Sequence, residues 1–196
     1  MAVNLTKGGR INLAKAAPTL KRVRMGLGWN MKSHDTGHHF DIDASAFVLK
    51  AGTPNNMLLS ESHFVFYNNL SSPEGAVKHS GDNRTGEGEG DDETIVVDLP
   101  KMPAEAAEIS FVVTIHEGQA KRQNFGQVVD AYIKLYNDET GEVVCVYDLD
   151  EEFSLETAVQ FGSLYRKDGE WNFKAVGAGY AVGLGEFVKQ YGADVA

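Results

Sequence analysis

The sequence predicts an all-β protein, a β-sandwich of two mainly antiparallel sheets with short helical segments. Short runs rich in β-branched and aromatic residues recur along most of the chain. Turn-forming residues separate these runs at the intervals that hairpins require. Signals for helices are few.

The predicted strands follow one another to the C-terminal part of the chain. They cover residues 23–29, 40–49, 63–67, 94–99, 109–115, 128–136, 143–147, 157–165 and 171–176. Two acid-to-glycine turns, at 137–141 and 167–170, predict hairpins because glycine tolerates positive φ. Helical structure is expected only over 184–191 and as one turn over 103–108.

Length and composition predict one domain, covering residues 1–196. A chain of 196 residues can bury a substantial core, and no repeat or linker divides it. The single cysteine, Cys145, lies in the apolar run 143–147, so it is predicted to be a small buried hydrophobic residue. With no signal peptide, no transmembrane insertion and no disulfide framework, we expect a cytoplasmic protein.

Charge is concentrated in one short tract. The formal net charge is -10, which argues against nucleic acid as a direct partner. Residues 81–93 hold six acids and one arginine, or half of that net charge. Such a tract is either a solvated loop or an ion site.

A second acidic pattern lies on a predicted strand. Asp41, Asp43 and Ser45 alternate along residues 40–49, so they share one face of that strand while Ile42 and Ala44 take the other. Carboxylates about 6.6 Å apart along a strand can converge on one ion. Glycines between the acids of 81–93 let that backbone turn tightly and direct oxygens inward.

Oxygen ligands of these types suit a hard cation. A large, flexible ligand set favours calcium over magnesium, which requires a near-octahedral shell. A solvated acidic loop remains the alternative. An EF-hand is excluded, because its third and sixth positions over 82–93 would be Arg84 and Glu87.

Other candidate sites are weaker. His34, His38 and His39 with Asp35 lack the further ligands of a zinc site. His116 has no nucleophile or second carboxylate placed to work with it. We therefore expect that the protein is not an enzyme.

Eight motifs, in order along nearly the whole chain, resemble the TerD/TerE tellurium-resistance family. They are GLGW (26–29), FDIDAS (40–45), FYNN (66–69), GDNRTGEGEGDDE (81–93), QNFGQV (123–128), YDL (147–149), ETA (156–158) and GEWNFKAVG (169–177). The resemblance implies a calcium-binding β-sandwich with the metal, and more than one ion, at one acidic end.

Carried over to this chain, the resemblance implies a defined set of metal ligands. They are Asp41, Asp43, Asn68, Asp82, Asn83, Asp91, Asp92 and Glu93. Two departures stand out. Asn30 replaces the usual Asp after GLGW, and residues 51–61 diverge, which predicts a hairpin loop away from the ions.

The resemblance also implies a function. It links the chain to tellurite resistance and stress response, as a calcium-ordered interaction module whose partners are other stress or tellurium-resistance proteins. One alternative is a calcium-dependent membrane-binding module similar to a C2 domain, although only Arg84 accompanies the acids of 81–93. A hydrolase is a further alternative, disfavoured because calcium activates water less than zinc does.

Overall fold

The computed structural model describes residues 2–31, 40–81, 90–149 and 153–192. Its strands are β1 (Val3–Leu5), β2 (Arg10–Asn12), β3 (Arg22–Met31), β4 (Ile42–Lys50), β5 (Met57–Leu58), β6 (Phe64–Val65), β7 (Val77–His79), β8 (Glu93–Asp98), β9 (Ala106–Ile115), β10 (Val128–Asn137), β11 (Val143–Asp148), β12 (Ala158–Lys167) and β13 (Glu170–Tyr180). Its α-helices are α1 (Leu13–Ala16), α2 (Gly118–Lys121) and α3 (Leu184–Gln190).

The strands form two sheets. The first has the order β1-β11-β10-β3-β8-β7, and the second has the order β2-β13-β12-β9-β4-β5, with β6 also paired to β4. Every pairing is antiparallel except β1 with β11. The predicted sandwich of two mainly antiparallel sheets is confirmed.

The main core lies between the sheets and follows from strand alternation. On β3, Val23, Met25 and Leu27 are fully buried, and Arg24 takes the outer face. On β8 the buried residues alternate in the same way along the strand. Glu93, the first residue of β8, therefore occupies an inward position.

A second apolar cluster covers part of the outer face of the second sheet. Phe47 of β4 stacks on Phe64 with ring centroids 4.6 Å apart, and Phe187 and Val188 of α3 pack beside them. This cover explains why β4 is buried on both faces, whereas a solvated antiparallel strand is buried on one.

Most sequence predictions are confirmed. The helix over 184–191 is present as α3, and both hairpin turns form, with positive φ at Gly141 and at Asp168 and Gly169. Cys145 is buried.

Two predictions need correction. The helical turn over 103–108 is wrong, because β9 begins at Ala106 and pairs with β4. The strand over 63–67 is confined to Phe64–Val65, because the chain turns back at once and Phe66 pairs with Asn69.

Candidate metal centre

The three acids that end the acidic tract point in different directions. Asp91 lies on the outer face of the first sheet, Asp92 lies at the start of β8, and Glu93 points between the sheets. Only Glu93 belongs to β8, so the directions of Asp91 and Asp92 are set by the segment that precedes the strand. The three carboxylates therefore have different partners.

Asp91 is held by aromatic hydroxyls on the outer face. The hydroxyls of Tyr132 and Tyr136 donate to its Oδ1 at 3.1 and 3.0 Å, and the Arg24 guanidinium lies 3.9 Å from its Oδ2. The carboxylate rests on Gly26, where a Cβ atom would overlap it. Gly26 therefore allows the Asp91 carboxylate to approach the backbone of β3, which gives the first glycine of the GLGW motif a packing role.

Glu93 joins the two sheets. Its enclosed carboxylate accepts the Ala44 N–H of β4 at 2.6 Å and lies 3.3 Å from His79 Nε2. His79 Nε2 is also 3.1 Å from the Ala44 carbonyl oxygen, and its Nδ1 accepts the Gly81 N–H at 3.0 Å. Because Nδ1 accepts, the hydrogen-bond pattern places the ring proton on Nε2.

Two distant stretches of the chain therefore meet at Ala44. The Glu93 carboxylate and His79 Nε2 satisfy the backbone N–H and carbonyl of Ala44, beyond the end of the pairing between β4 and β6. Ala44 stands directly after Asp43, so the end of the acidic tract lies beside the Asp-x-Asp strand.

Asp92 extends the pairing between β3 and β8 through its backbone N–H and through its side chain. Its N–H donates to the Leu27 carbonyl at 2.7 Å, and its Oδ2 accepts the Trp29 N–H at 2.8 Å. Burial raises the pKa of Asp92 above its ordinary value, and the charges of Asp91 and Glu93 raise it further, against the lowering effect of the Trp29 N–H.

Asp43 faces a different space, a cleft at one end of the second sheet. The cleft has a volume of about 480 Å³, and its lining includes Tyr67, His116, Glu117 and Glu186. Asp43 is buried, with 5% of its surface exposed. Ser45 lies two residues further along β4 and so takes the same face. Its buried hydroxyl has no hydrogen-bond partner in the described part of the chain.

The remaining predicted ligands are less central. Asp41 precedes β4, and its backbone carbonyl accepts the His116 N–H at 2.7 Å. Asn68 is exposed in the turn next to Tyr67, which lines the cleft. Asp82 and Asn83 lie outside the described residues.

The donor chemistry fits calcium, and the described residues supply part of a ligand set. Carboxylate, hydroxyl and backbone oxygens around Asp43 and Asp92 are the hard ligands that calcium prefers. Within residues 2–31, 40–81, 90–149 and 153–192, no three His, Cys, Asp or Glu side chains form a group that could hold a metal ion. A calcium site at this end would need further oxygen ligands beyond these side chains.

Comparison with known proteins identifies the family. The TerD domain model matches residues 1–191. The chain belongs to the TerD family. It is 54% identical over 192 residues to a tellurium resistance protein TerD of Serratia marcescens, covering 98% of each chain. It is 48% identical over 195 residues to general stress protein 16U of Bacillus subtilis, covering 100% of each.

Solved structures support the fold. A crystal structure of a homologue of telluride resistance protein (TerD) from Streptomyces coelicolor A3(2) aligns with a TM-score of 0.70 at 22% identity. The alignment covers 90% of this chain and 99% of that one. At this identity the likeness concerns the architecture alone. None of the helices among the described residues is both long and apolar enough to cross a bilayer.

The structure of this TerD domain adds partners that sequence reasoning missed. Tyr132 and Tyr136 were assigned only to a strand, yet both contact Asp91, and His79 contacts Glu93. Alternation along 128–136 would place the two tyrosines on one face. No sequence signal pairs His79 with Glu93, because that contact depends on the alignment of β7 with β8.

Proposed function

We propose that this TerD-family protein is a non-enzymatic calcium-binding module of the stress and tellurium-resistance response. Calcium would order the acidic end of the sandwich and so present a surface to a protein partner. The residues proposed to hold the metal are the eight named above, with Asp43, Asp92 and Glu93 at its described edge. The cytoplasmic location expected from the sequence is part of the same proposal.

One observation carries the proposal. The Glu93 carboxylate bonds to the backbone of Ala44, so the end of the acidic tract is fixed beside the strand that bears Asp43. The two stretches are 49 positions apart in sequence. A cation bound between them would receive oxygens from both sheets.

Electrostatics support a cation at this end. The pKa of Asp92 is raised by burial and by the charges of two adjacent carboxylates, so ionising Asp92 is costly without a counterion. A divalent cation removes that cost, because it supplies the opposite charge at short range. Binding would thus stabilise the fold as well as order the loop.

Calorimetry tests the proposal directly. Metal-stripped protein is titrated with calcium, and the Asp41→Asn/Asp43→Asn variant is compared with Glu139→Gln/Glu142→Gln, which removes the same charge from an exposed hairpin. Calcium at a hundredfold excess over Kd should stabilise the wild-type protein by about 2.7 kcal/mol, or roughly 5–10 °C in Tm.

The control should bind calcium as the wild-type protein does, and the Asp41/Asp43 variant should lose most of the heat. Equal heats in both variants would refute the assigned ligands, and no saturable heat in the wild-type protein would refute calcium binding. Affinity purification from stressed cells, with calcium present and then chelated, tests the partner. Proteins released by chelation are the expected result.

A further inference from the structure

A positively charged groove crosses the outer face of the second sheet, away from the acidic end. It has a volume of about 520 Å³, and its lining includes Arg10, Lys174, Ser163, Tyr165 and Glu108. Its volume is in the range of small-molecule sites. In a chain of net charge -10, a concentration of cations on one face calls for a physical reason.

The register of three neighbouring strands places three donors in one row. Arg10 of β2 pairs directly with Lys174 of β13, and Lys174 pairs with Ser163 of β12. Directly opposed side chains on antiparallel strands have Cβ atoms about 5 Å apart. All three residues line the groove, so their polar ends face the same space.

The row costs stability unless an anion occupies it. Like charges directly opposite each other on a sheet are destabilising. Some cations of the described surface are paired with acids, as Arg22 is with Asp138 and Lys101 with Asp98. Neither Arg10 nor Lys174 has a carboxylate partner in that part of the chain.

The serine at the end of the row is an unused donor. Ser163 is 3% exposed, and its hydroxyl makes no hydrogen bond to any residue that the structure describes. Two neighbouring polar groups of the groove are already engaged. Gln160 donates to Ser110 at 2.8 Å, and Asn56 donates to the Glu108 carboxylate at 2.7 Å.

We propose that the row Arg10–Lys174–Ser163 is a binding site for a phosphate-class oxyanion, either free or as the phosphate monoester of a small molecule. Two cations match a dianion, whereas a carboxylate would be balanced by one of them. Arginine offers a planar pair of donors to phosphate oxygens, lysine adds a mobile point charge, and the serine hydroxyl supplies a neutral donor.

A third cation, Arg166, also lines the groove. The Arg166 guanidinium donates to the Ala104 carbonyl at 3.0 Å and lies 4.8 Å from the centre of the Trp171 ring. Its donors are partly used, so it contributes positive potential and not a primary contact. The site is independent of calcium, because none of its residues belongs to the proposed metal centre.

Binding is measured by calorimetry with inorganic phosphate and with phenyl phosphate, on metal-stripped protein in calcium-free buffer so that calcium phosphate cannot form. Saturable binding of either probe supports the site, and the tighter probe identifies free anion or ester as the source. Acetate should bind at least about tenfold more weakly, since it carries one charge. Acetate binding as tight as phosphate would overturn the proposal.

Variants locate the site. Arg10→Ala/Lys174→Ala should weaken phosphate binding by about tenfold or more, the scale of one charge-assisted hydrogen bond. The control Lys15→Ala/Lys21→Ala makes the same charge change at exposed positions outside the groove and should change Kd less than about twofold. Arg10→Lys/Lys174→Arg should retain binding, which guards against loss through misfolding.

Ser163→Ala tests the neutral donor, with an expected loss of about threefold or more. Equal affinities for the Arg10/Lys174 variant and its control, with unchanged thermal unfolding, would overturn the site. So would the absence of saturable binding by either phosphate probe. A failure of calcium binding would leave these results unaffected.

Discussion

The contact between Asp91 and two tyrosines gives a prediction that separates a packing role from a metal-ligand role. Asp91 Oδ1 accepts both phenolic hydroxyls, at 3.1 Å from Tyr132 and 3.0 Å from Tyr136. The carboxylate is 7% exposed, and its nearest cation, Arg24, is 3.9 Å away. Tyr132→Phe and Tyr136→Phe each remove one donor and no ring packing.

The magnitude follows from the type of hydrogen bond. A hydrogen bond to a charged group contributes about 1.5–3 kcal/mol when buried. Both tyrosines are only partly buried, so about 1 kcal/mol for each substitution is the expected cost. The double variant should lose about 3 kcal/mol, more than the sum, because a buried carboxylate is left without either donor.

Urea unfolding of the metal-free protein measures these losses, with Tm as a second readout at about 2–4 °C per kcal/mol for a chain of this size. A double-mutant cycle with Asp91→Ala should show coupling of about 1 kcal/mol to each hydroxyl. Tyr165→Phe is the matched control, since that partly buried tyrosine has no side-chain hydrogen bond among the described residues.

Two outcomes would contradict this reasoning. If Tyr132→Phe and Tyr136→Phe change the free energy of unfolding as little as Tyr165→Phe does, the contacts add nothing to stability. A coupling near zero in the cycle would mean that the hydroxyls act through some other group. Repeating the cycle with calcium adds a test of Asp91 as a ligand, because calcium should stabilise Asp91→Ala less than the wild-type protein if Asp91 binds the metal.

Three further predictions concern single sites. Gly26→Ala should cost about 1–3 kcal/mol in urea unfolding, because its Cβ would overlap the Asp91 carboxylate, and the cost should fall in the Asp91→Ala background. Burial raises the pKa of the Cys145 thiol to about 12, so maleimide at neutral pH should label it only at the rate of unfolding; rapid labelling of native protein would contradict this. Burial also raises the pKa of Tyr191 from 10.0 to about 12. The folded state then keeps a proton that the unfolded chain loses, so stability should fall by roughly 2–3 kcal/mol as pH rises through that interval, and less in Tyr191→Phe.

The long strands could be predicted from sequence because period-two alternation marks them without knowledge of their partners. β3, β10 and β12 were each placed within two residues at both ends. The short strands β5 and β7 were not predicted, because two or three residues carry no measurable period. Their structure comes from pairing with β4 and β8.

The error over 103–108 has a specific physical cause. Ala and Glu favour a helical turn after Pro103, and local propensity therefore indicated one. Instead β9 begins at Ala106, where pairing with Lys50 of β4 extends the strand. Tertiary pairing outweighs a local preference of a few tenths of a kcal/mol per residue.

The residue types of the candidate centre could be proposed from the sequence, but the directions of their side chains could not. Sequence alone predicted that Asp43 and the end of the acidic tract belong to one site. The Glu93–Ala44 hydrogen bond brings the two stretches of backbone together, while Asp43 faces the cleft. Treating Asp91, Asp92 and Glu93 as one cluster ignored the strand that begins at Glu93. Glu93 begins β8 and points inward, whereas Asp91 precedes the strand and reaches the outer face, where both tyrosine hydroxyls contact it.

The end of the acidic motif has two connections to the rest of the fold. Glu93 links β8 to β4 across the sandwich, while Asp91, just before that strand, contacts the tyrosines of β10. Both contacts lie within two residues of Asp92, whose charge is disfavoured by burial and by its neighbours. A cation bound beside Asp92 would thus act close to both connections, because its charge would offset the repulsion that Asp91 and Glu93 exert on Asp92. Ordering of this end by calcium would then be transmitted through strand β8 itself.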